Sequence, residues 1–212
     1  MTLGRQLVVM LRAPALGVGK RRLASDLGDL AALQFQRRAA DALIRRVGRD
    51  PRWTTWLGLT PDASVRRRRL WPGLPRVAQG GGDLGSRMGR MLANAPPGPV
   101  ILIGADIPGI QARHIAAGFR MLGAHDWVFG PAEDGGYWLI GARRRPSLRL
   151  PFAGVRWSSA DALSDTLARV QGDIGFLETL ADVDQEADLR RLRGQGDLPG
   201  LPSGKSARIH VR

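Results

Sequence analysis

The sequence contains no cysteine. Disulfides, thiolate nucleophiles, iron–sulfur clusters and Cys-ligated zinc are excluded together. It also lacks any apolar run near the ~20 residues a helix needs to cross a bilayer. Arg5 and Arg12 bracket only the short stretch from Gln6 to Leu11, so the N-terminal residues form no signal-peptide apolar core. The expectation is a soluble, unexported protein without a membrane partner, which a reducing cytoplasm fits. Acidic residues are outnumbered: 32 Lys and Arg oppose 19 Asp and Glu, a formal charge of +13. Lysine itself is nearly missing, with Lys20 and Lys205 alone among the basic residues. His114, His125 and His210 are too scattered along the chain to suggest a site.

The 212 residues, 43% of them apolar, suffice for one sizeable core and rule out a disordered tail protein. The charge invites a nucleic-acid reading, since clustered Lys and Arg release counterions from phosphate backbones. Its distribution argues against one. The runs Arg66 to Arg69 and Arg143 to Arg145 carry no interleaved aromatics for base stacking and read as solvated surface.

Along the chain, Gln6 to Leu11 reads as a buried strand. A Pro/Gly loop follows, and then one long helix from about Arg21 to Val47. Its buried face is expected at Leu23, Leu27, Leu30, Leu33, Ala40, Leu43, Ile44 and Val47. Further strands are expected at Trp53 to Leu59, Arg76 to Gln79, Val100 to Ile103, Trp127 to Phe129 and Tyr137 to Ile140. Helices are expected after Gly85, over about Gln111 to Leu122, over Ser158 to Val170 with Ser158 or Ser159 as N-cap, and over Gln185 to Leu192. Residues 1–194 form one domain on this reading, and residues 195–212 a flexible basic tail. Alternating strands and helices with near-continuous apolar strands predict a largely parallel sheet covered on both faces. In such sheets ligands sit outside the carboxyl ends of the strands, so polar residues just after strands become site candidates.

Four segments carry such residues. The loop from Arg12 to Arg22 offers Gly17, Gly19 and Lys20 at a helix start, which suits a polyphosphate. It is neither a Walker A loop nor a dinucleotide fingerprint, and a solvated basic helix start is the plain alternative. Gly104-Ala105-Asp106-Ile107-Pro108-Gly109 places a carboxylate at the end of a central apolar strand. Partly desolvated there, Asp106 calls for a cation or another partner, unless it merely caps the helix near Gln111. Gly130 to Trp138 combines Glu133 and Asp134 with an aromatic shelf suited to a hydroxylated or phosphorylated ligand, although Asp-Gly-Gly is also ordinary hairpin-turn chemistry. Asp182 and Asp184, two residues apart in an extended segment, point to the same side. They can approach one cation, or Asp184 can cap the last helix. Oxygen ligands without Cys or clustered His select Mg²⁺ or Mn²⁺ over zinc.

Taken in order, Pro14, Gly17, Lys20, Arg22 and Leu23, then QGGGDLGSRM (Gln79 to Met88), GADIPG, GPAEDGGYWLIG (Gly130 to Gly141), Trp157-Ser158-Ser159 and DVDQEADL (Asp182 to Leu189) resemble the DUF2064 family of GT-A-type nucleotide-diphospho-sugar transferases. This group is similar to the guanylyltransferases that make the molybdopterin and F420 cofactors. The resemblance spans about residues 6 to 192. It implies an α/β, Rossmann-like GT-A three-layer sandwich with a mostly parallel central sheet. It implies a metal held by Asp106 with Asp182 and Asp184, and phosphate contacts from Arg12, Gly17, Lys20, Arg22, Gly85 and Arg87. Asp106 and Asp134 are then the catalytic candidates, and Glu133, Gly135, Gly136 and Tyr137 the substrate-binding ones. Arg12 and Arg21 stand where the family more often has Lys and Thr, and Gln185 replaces a usual Thr.

The expected activity is a metal-dependent transferase using a nucleotide sugar or a nucleoside triphosphate, with a small-molecule acceptor. A triphosphate would be attacked at its α-phosphorus, releasing pyrophosphate; a nucleotide sugar would be attacked at its anomeric carbon, releasing a nucleoside diphosphate. Positioning and electrostatics carry such chemistry without a dedicated nucleophile. The rivals are a basic, non-catalytic nucleic-acid-binding domain, separable by salt titration, and a degenerate transferase fold kept as a nucleotide sensor.

Overall fold

The computed structural model describes residues 3–18, 21–144 and 148–181, with the side chains of residues 21, 22 and 27 excepted. Within them the order is β1 (Gln6–Arg12), α1 (Arg21–Leu27), α2 (Asp29–Val47), β2 (Thr54–Thr60), β3 (Arg76–Ala78), α3 (Leu84–Asn94), β4 (Val100–Gly104), α4 (Ala112–Met121), β5 (Trp127–Pro131), β6 (Tyr137–Ala142), α5 (Ala162–Leu167) and β7 (Ile174–Phe176). The strands form one seven-stranded sheet in the order β3-β2-β1-β4-β6-β5-β7. β6 pairs antiparallel with β4 and β5, and every other pairing is parallel.

Both faces of this sheet are covered. Leu7, Val9, Leu11, Leu57, Ile101 and Ile103 pack on one side with Leu43 and Val47 of α2 and Ile115 and Phe119 of α4. Val8, Val100, Leu102, Phe129 and Ile140 pack on the other with Met88, Met91 and Leu92 of α3. Successive strand residues alternate between the two cores, which is the period of two expected of a strand apolar on both faces. The result is the three-layer α/β sandwich that the sequence predicts.

Three local expectations are corrected. The single long helix breaks at Gly28, whose φ of 85° lies in the left-handed region and lets a new helix start at Asp29. Leu30, expected on the buried face, is 61% exposed, while Phe35 and Ala39 of α2 bury with Leu23 of α1. The helix expected from Ser158 narrows to Ala162–Leu167 behind Asp161, because Ser159 Oγ donates to the Arg156 carbonyl (2.7 Å) and accepts from Asp161 N–H (3.2 Å). Arg143 and Arg144 are not solvated surface either. Their guanidinium groups donate to the carbonyls of Leu122 (3.0 Å), Gly123 (2.6 Å) and Pro96 (2.8 Å). The helix expected over Gln185 to Leu192 and the tail from residue 195 lie outside the described residues.

Candidate functional site at the carboxyl edge of the sheet

Register lines up the strand ends. Arg12 pairs with Thr60, Met10 pairs with Gly104, and Leu59 pairs with Ala78, which sets Gln79 one step on, beside Thr60. These ends border a cleft of about 420 Å³. Its walls include Arg12 and Thr60, Arg87 and Met88 of α3, Gly104 and Asp106 after β4, Asp134, Gly136 and Tyr137 at the β5–β6 turn, and Trp157 to Ser159. This is where a doubly wound sheet binds its ligands.

Each wall has a local cause. Asp83 caps α3 by accepting from Ser86 N–H (2.7 Å), and the Ser86 hydrogen bonds hold its carboxyl below the usual range. That fixes the first turn of α3, which carries Arg87. The turn after β4 is tied down from the opposite helix layer: Arg46 of α2 donates to the Pro108 carbonyl at 2.5 Å. α4 is capped by Gln111, whose N–H donates to His114 Nδ1 (3.1 Å), so Asp106 is not the cap. Asp106 is exposed, which corrects the expectation of a desolvated carboxylate.

The turn between β5 and β6 is indeed a hairpin. Gly136 N–H donates to Asp134 Oδ1 (2.9 Å), and Ala132 N–H donates to the Gly136 carbonyl (3.0 Å). The same turn also lines the cleft, so the two readings of this segment coincide. Burial pushes the Tyr137 phenol above its ordinary range, outweighing a hydrogen bond with Thr166. Its ring stands edge-on to Phe129 at 5.5 Å.

The predicted site residues divide accordingly. Arg12, Arg87, Asp106, Asp134, Gly136 and Tyr137 meet on the cleft, although 122 positions separate Arg12 from Asp134. Gly17 does not line it: with φ at 70°, it sits in an exposed turn closed by Val18 N–H on the Ala15 carbonyl (3.3 Å). Gly85 and Gly135 serve packing, since a Cβ on Gly85 would strike the Trp157 ring and one on Gly135 the Ala160 backbone. Glu133 is exposed beside the turn and is not among the lining residues. Lys20, Asp182 and Asp184 lie outside the described residues, as does the side chain of Arg22.

Thr60, Gln79 and Ser158 line the cleft without standing among the predicted site residues. Gln79 and Ser158 belong to the motifs quoted above, whereas Thr60 reads in sequence only as a turn residue. Ser158 has a φ of 61°, an uncommon conformation for a non-glycine residue and one that often accompanies functional loops.

Among the described residues, no three of His, Asp and Glu gather as a metal-binding group. The carboxylates that reach the cleft there, Asp106 and Asp134, are hard oxygen donors, and no histidine lines it. Such donors fit Mg²⁺ or Mn²⁺ rather than zinc. No described helix is long and apolar enough to cross a membrane.

Residues 43–159 match the model of the family described as "Uncharacterized protein conserved in bacteria (DUF2064)". No curated protein matches the chain. Among solved structures, the chain is similar to a protein of Desulfovibrio desulfuricans provisionally described as a nucleotide-diphospho-sugar transferase. The two are 27% identical over 92% of this chain and 89% of the other, with a TM-score of 0.85. A 4-diphosphocytidyl-2C-methyl-D-erythritol synthase of Anaerococcus prevotii shares the fold at 8% identity, covering 92% and 97% of the two chains with a TM-score of 0.62. Rv0371c of Mycobacterium tuberculosis, solved in complex with manganese, does so at 18% identity, covering 91% and 98% with a TM-score of 0.52.

Proposed function

The chain belongs to the DUF2064 family, and from that membership together with the cleft we propose that it is a transferase taking a nucleotide donor, a nucleoside triphosphate or a nucleotide sugar, and passing part of it to a small-molecule acceptor. The observation that carries this reading is the convergence of Arg12, Arg87, Asp106 and Asp134 on one cleft at the carboxyl edge of the sheet. Two guanidinium groups and two carboxylates, contributed by separate elements, meet the needs of a polyanion and of a group that must lose a proton. The likeness to a protein described as a nucleotide-diphospho-sugar transferase supports the same donor class.

In this reading Arg12 and Arg87 hold the phosphates, joined by Lys20, which follows β1 in sequence, and by Arg22 of α1. Planar guanidinium forks suit that task, because they meet phosphate oxygens in pairs. Asp134, held by the Gly136 N–H, accepts the proton of the acceptor hydroxyl. Gly136 and Tyr137 line the acceptor side of the cleft, Gly135 packs the turn against Ala160, and Glu133 stands exposed beside it. Asp106, with Asp182 and Asp184 from the segment outside the described residues, would hold Mg²⁺ or Mn²⁺, a choice the manganese complex of Rv0371c supports. When bound, such a cation neutralises charge developing on phosphate oxygens. The chain's own contribution is positioning and electrostatic complementarity, which need no covalent intermediate.

The arginine excess favours this reading over a nucleic-acid surface, because many guanidinium groups are spent inside the molecule. Arg76 donates to the carbonyls of Arg67 (2.7 Å), Arg68 (2.9 Å) and Trp71 (3.1 Å), and Arg169 to those of Asp165 (2.6 Å) and Gly154 (3.1 Å).

Thermal melting with nucleoside triphosphates and nucleotide sugars, with and without Mg²⁺, tests the proposal. At least one should raise the midpoint in a Mg²⁺-dependent way, since a ligand that binds only the native state stabilises it. A panel without any shift, or turnover that persists in excess EDTA, would sink the metal-dependent transferase. Binding without turnover would point to the nucleotide sensor, and affinity falling steeply with salt to the nucleic-acid domain.

A further inference from the structure

Gln79 is held at four points. Its N–H donates to the Leu59 carbonyl (3.0 Å), and its own carbonyl accepts from Arg90 Nη1. Its side-chain Nε2 donates to the carbonyls of Leu11 (3.2 Å) and Gly58 (2.8 Å). An amide NH₂ has two hydrogens, and both go to backbone carbonyls of β1 and β2. The amide orientation is therefore fixed by its partners: turned over, it would set an oxygen against two oxygens. What Gln79 can offer the cleft it lines is an acceptor, Oε1, on a side chain only 3% exposed.

The surroundings suit a flat aromatic ligand. Met10, Leu11, Leu84, Met88 and Leu102 line the same cleft and give it apolar and polarisable walls. Gln79 follows β3, three strand spacings from β4 and its Asp106 turn, about 14 Å at ~4.8 Å per strand. Arg12 lies between them. A nucleoside phosphate laid across the strand ends would put its phosphates near Arg12 and its base near Gln79.

Resting on the proposed donor class, we infer that Gln79 is a specificity-determining residue that selects nucleobases carrying an exocyclic amino group. Because Nε2 takes up the Leu11 and Gly58 carbonyls, Oε1 is the acceptor that remains for a ligand. An amino group presents a hydrogen to it. A ring imide N–H arrives flanked by two carbonyl oxygens, which meet Oε1 with like partial charge. A buried acceptor left without its donor penalises the wrong base, which is how a built polar site discriminates.

The test measures binding of paired nucleotides in Mg²⁺ to the intact protein: CTP against UTP, GTP against ITP, and ATP against the triphosphate of purine riboside. The amino-bearing member of at least one pair should bind about 10- to 100-fold more tightly. Gln79→Leu should remove that preference while a Mg²⁺-dependent affinity for the triphosphate persists. Gln79→Met, closer in length, provides the same readout if the leucine variant fails to fold, and the wild-type pairs need no variant at all. Nucleotide binding with no preference in any pair, or a preference unchanged in the folded variant, overturns this inference and leaves the donor class standing. Binding by no nucleotide in the panel overturns both.

Discussion

The two halves of the sheet are built differently. In β3-β2-β1-β4 every pairing is parallel, and Gln79, Thr60 and Arg12 end the strands as neighbours. In β6-β5-β7 the strand β6 runs antiparallel to β5 and, across the join, to β4, the register shifts between Gly130 and Pro131, and the cleft wall is made by the turn at Asp134 and the segment around Ser158. The first half positions its polar groups largely by strand register, with Gln79 tied further to Leu11 and Gly58. The second positions them by docking loops on one another, as where Leu163 N–H donates to the Gly135 carbonyl (3.0 Å). On the proposed function the difference suits a division of labour, with the register-built side for the nucleotide and the loop-built side for the acceptor.

The contrast is broken most severely in the core of the first half. Leu57 is fully buried between β1 and β3, and Leu57→Ala should cost about 2–5 kcal/mol in urea unfolding. Phe176→Ala on the half-exposed edge strand β7 should cost under ~1 kcal/mol. Similar losses at both positions would erase the distinction.

Asp106 stands where the halves join, after β4. Asp106→Asn should lower turnover about 100- to 1,000-fold, the scale of one lost electrostatic contact to a developing charge, with little change in melting because the side chain is exposed. Retained turnover would move the reaction away from this turn.

Gly135 tests the docked loops. Its φ of 83° and the Ala160 backbone facing it leave no room for a methyl group, so Gly135→Ala should destabilise by on the order of 1–3 kcal/mol. If the halves divide their labour as described, a folded sample of this variant should lose acceptor affinity more than nucleotide affinity. Equal losses in the two affinities would count against the division.

The smallest effect concerns pH. His114 is buried, with Nε2 2.9 Å from Glu178 Oε1 across to the segment after β7. Burial holds its pKa below the usual value, reinforced by Arg113 and Arg46 and opposed by Glu178. The unfolded chain therefore takes up this proton first, and stability falls as pH drops below ~6.5 toward the lower folded value. Melting curves between pH 7.5 and 5.5 should flatten in His114→Gln. A variant with the wild-type slope would assign the acid sensitivity to other groups.

Much of the first half was readable in advance because its signals are local. Val100 to Ile103 is apolar throughout, and the Asp106 turn follows a strand end directly, although the Asp83 cap went unread because its helix was expected only after Gly85. The second half was harder. Ser158 and Ser159 look like a helix cap, yet Ser159 is engaged by Arg156 and Asp161, and the helix begins later. The break at Gly28 was missed because an apolar repeat continues across it, and periodicity does not register a left-handed residue. Gln79 was visible only as part of a motif. Its importance comes from two carbonyls, one of them 68 positions away, that use up its donors.

Composition and pattern determined the α/β class, the buried strands, the absence of cysteine chemistry and the candidates at strand ends, because each follows from residue type and short-range spacing. Which candidates share one cleft, which glycines are packing devices, and which arginines are spent on carbonyls were settled by tertiary structure alone. Those facts depend on contacts between residues far apart in the chain, and neither periodicity nor composition encodes such distances.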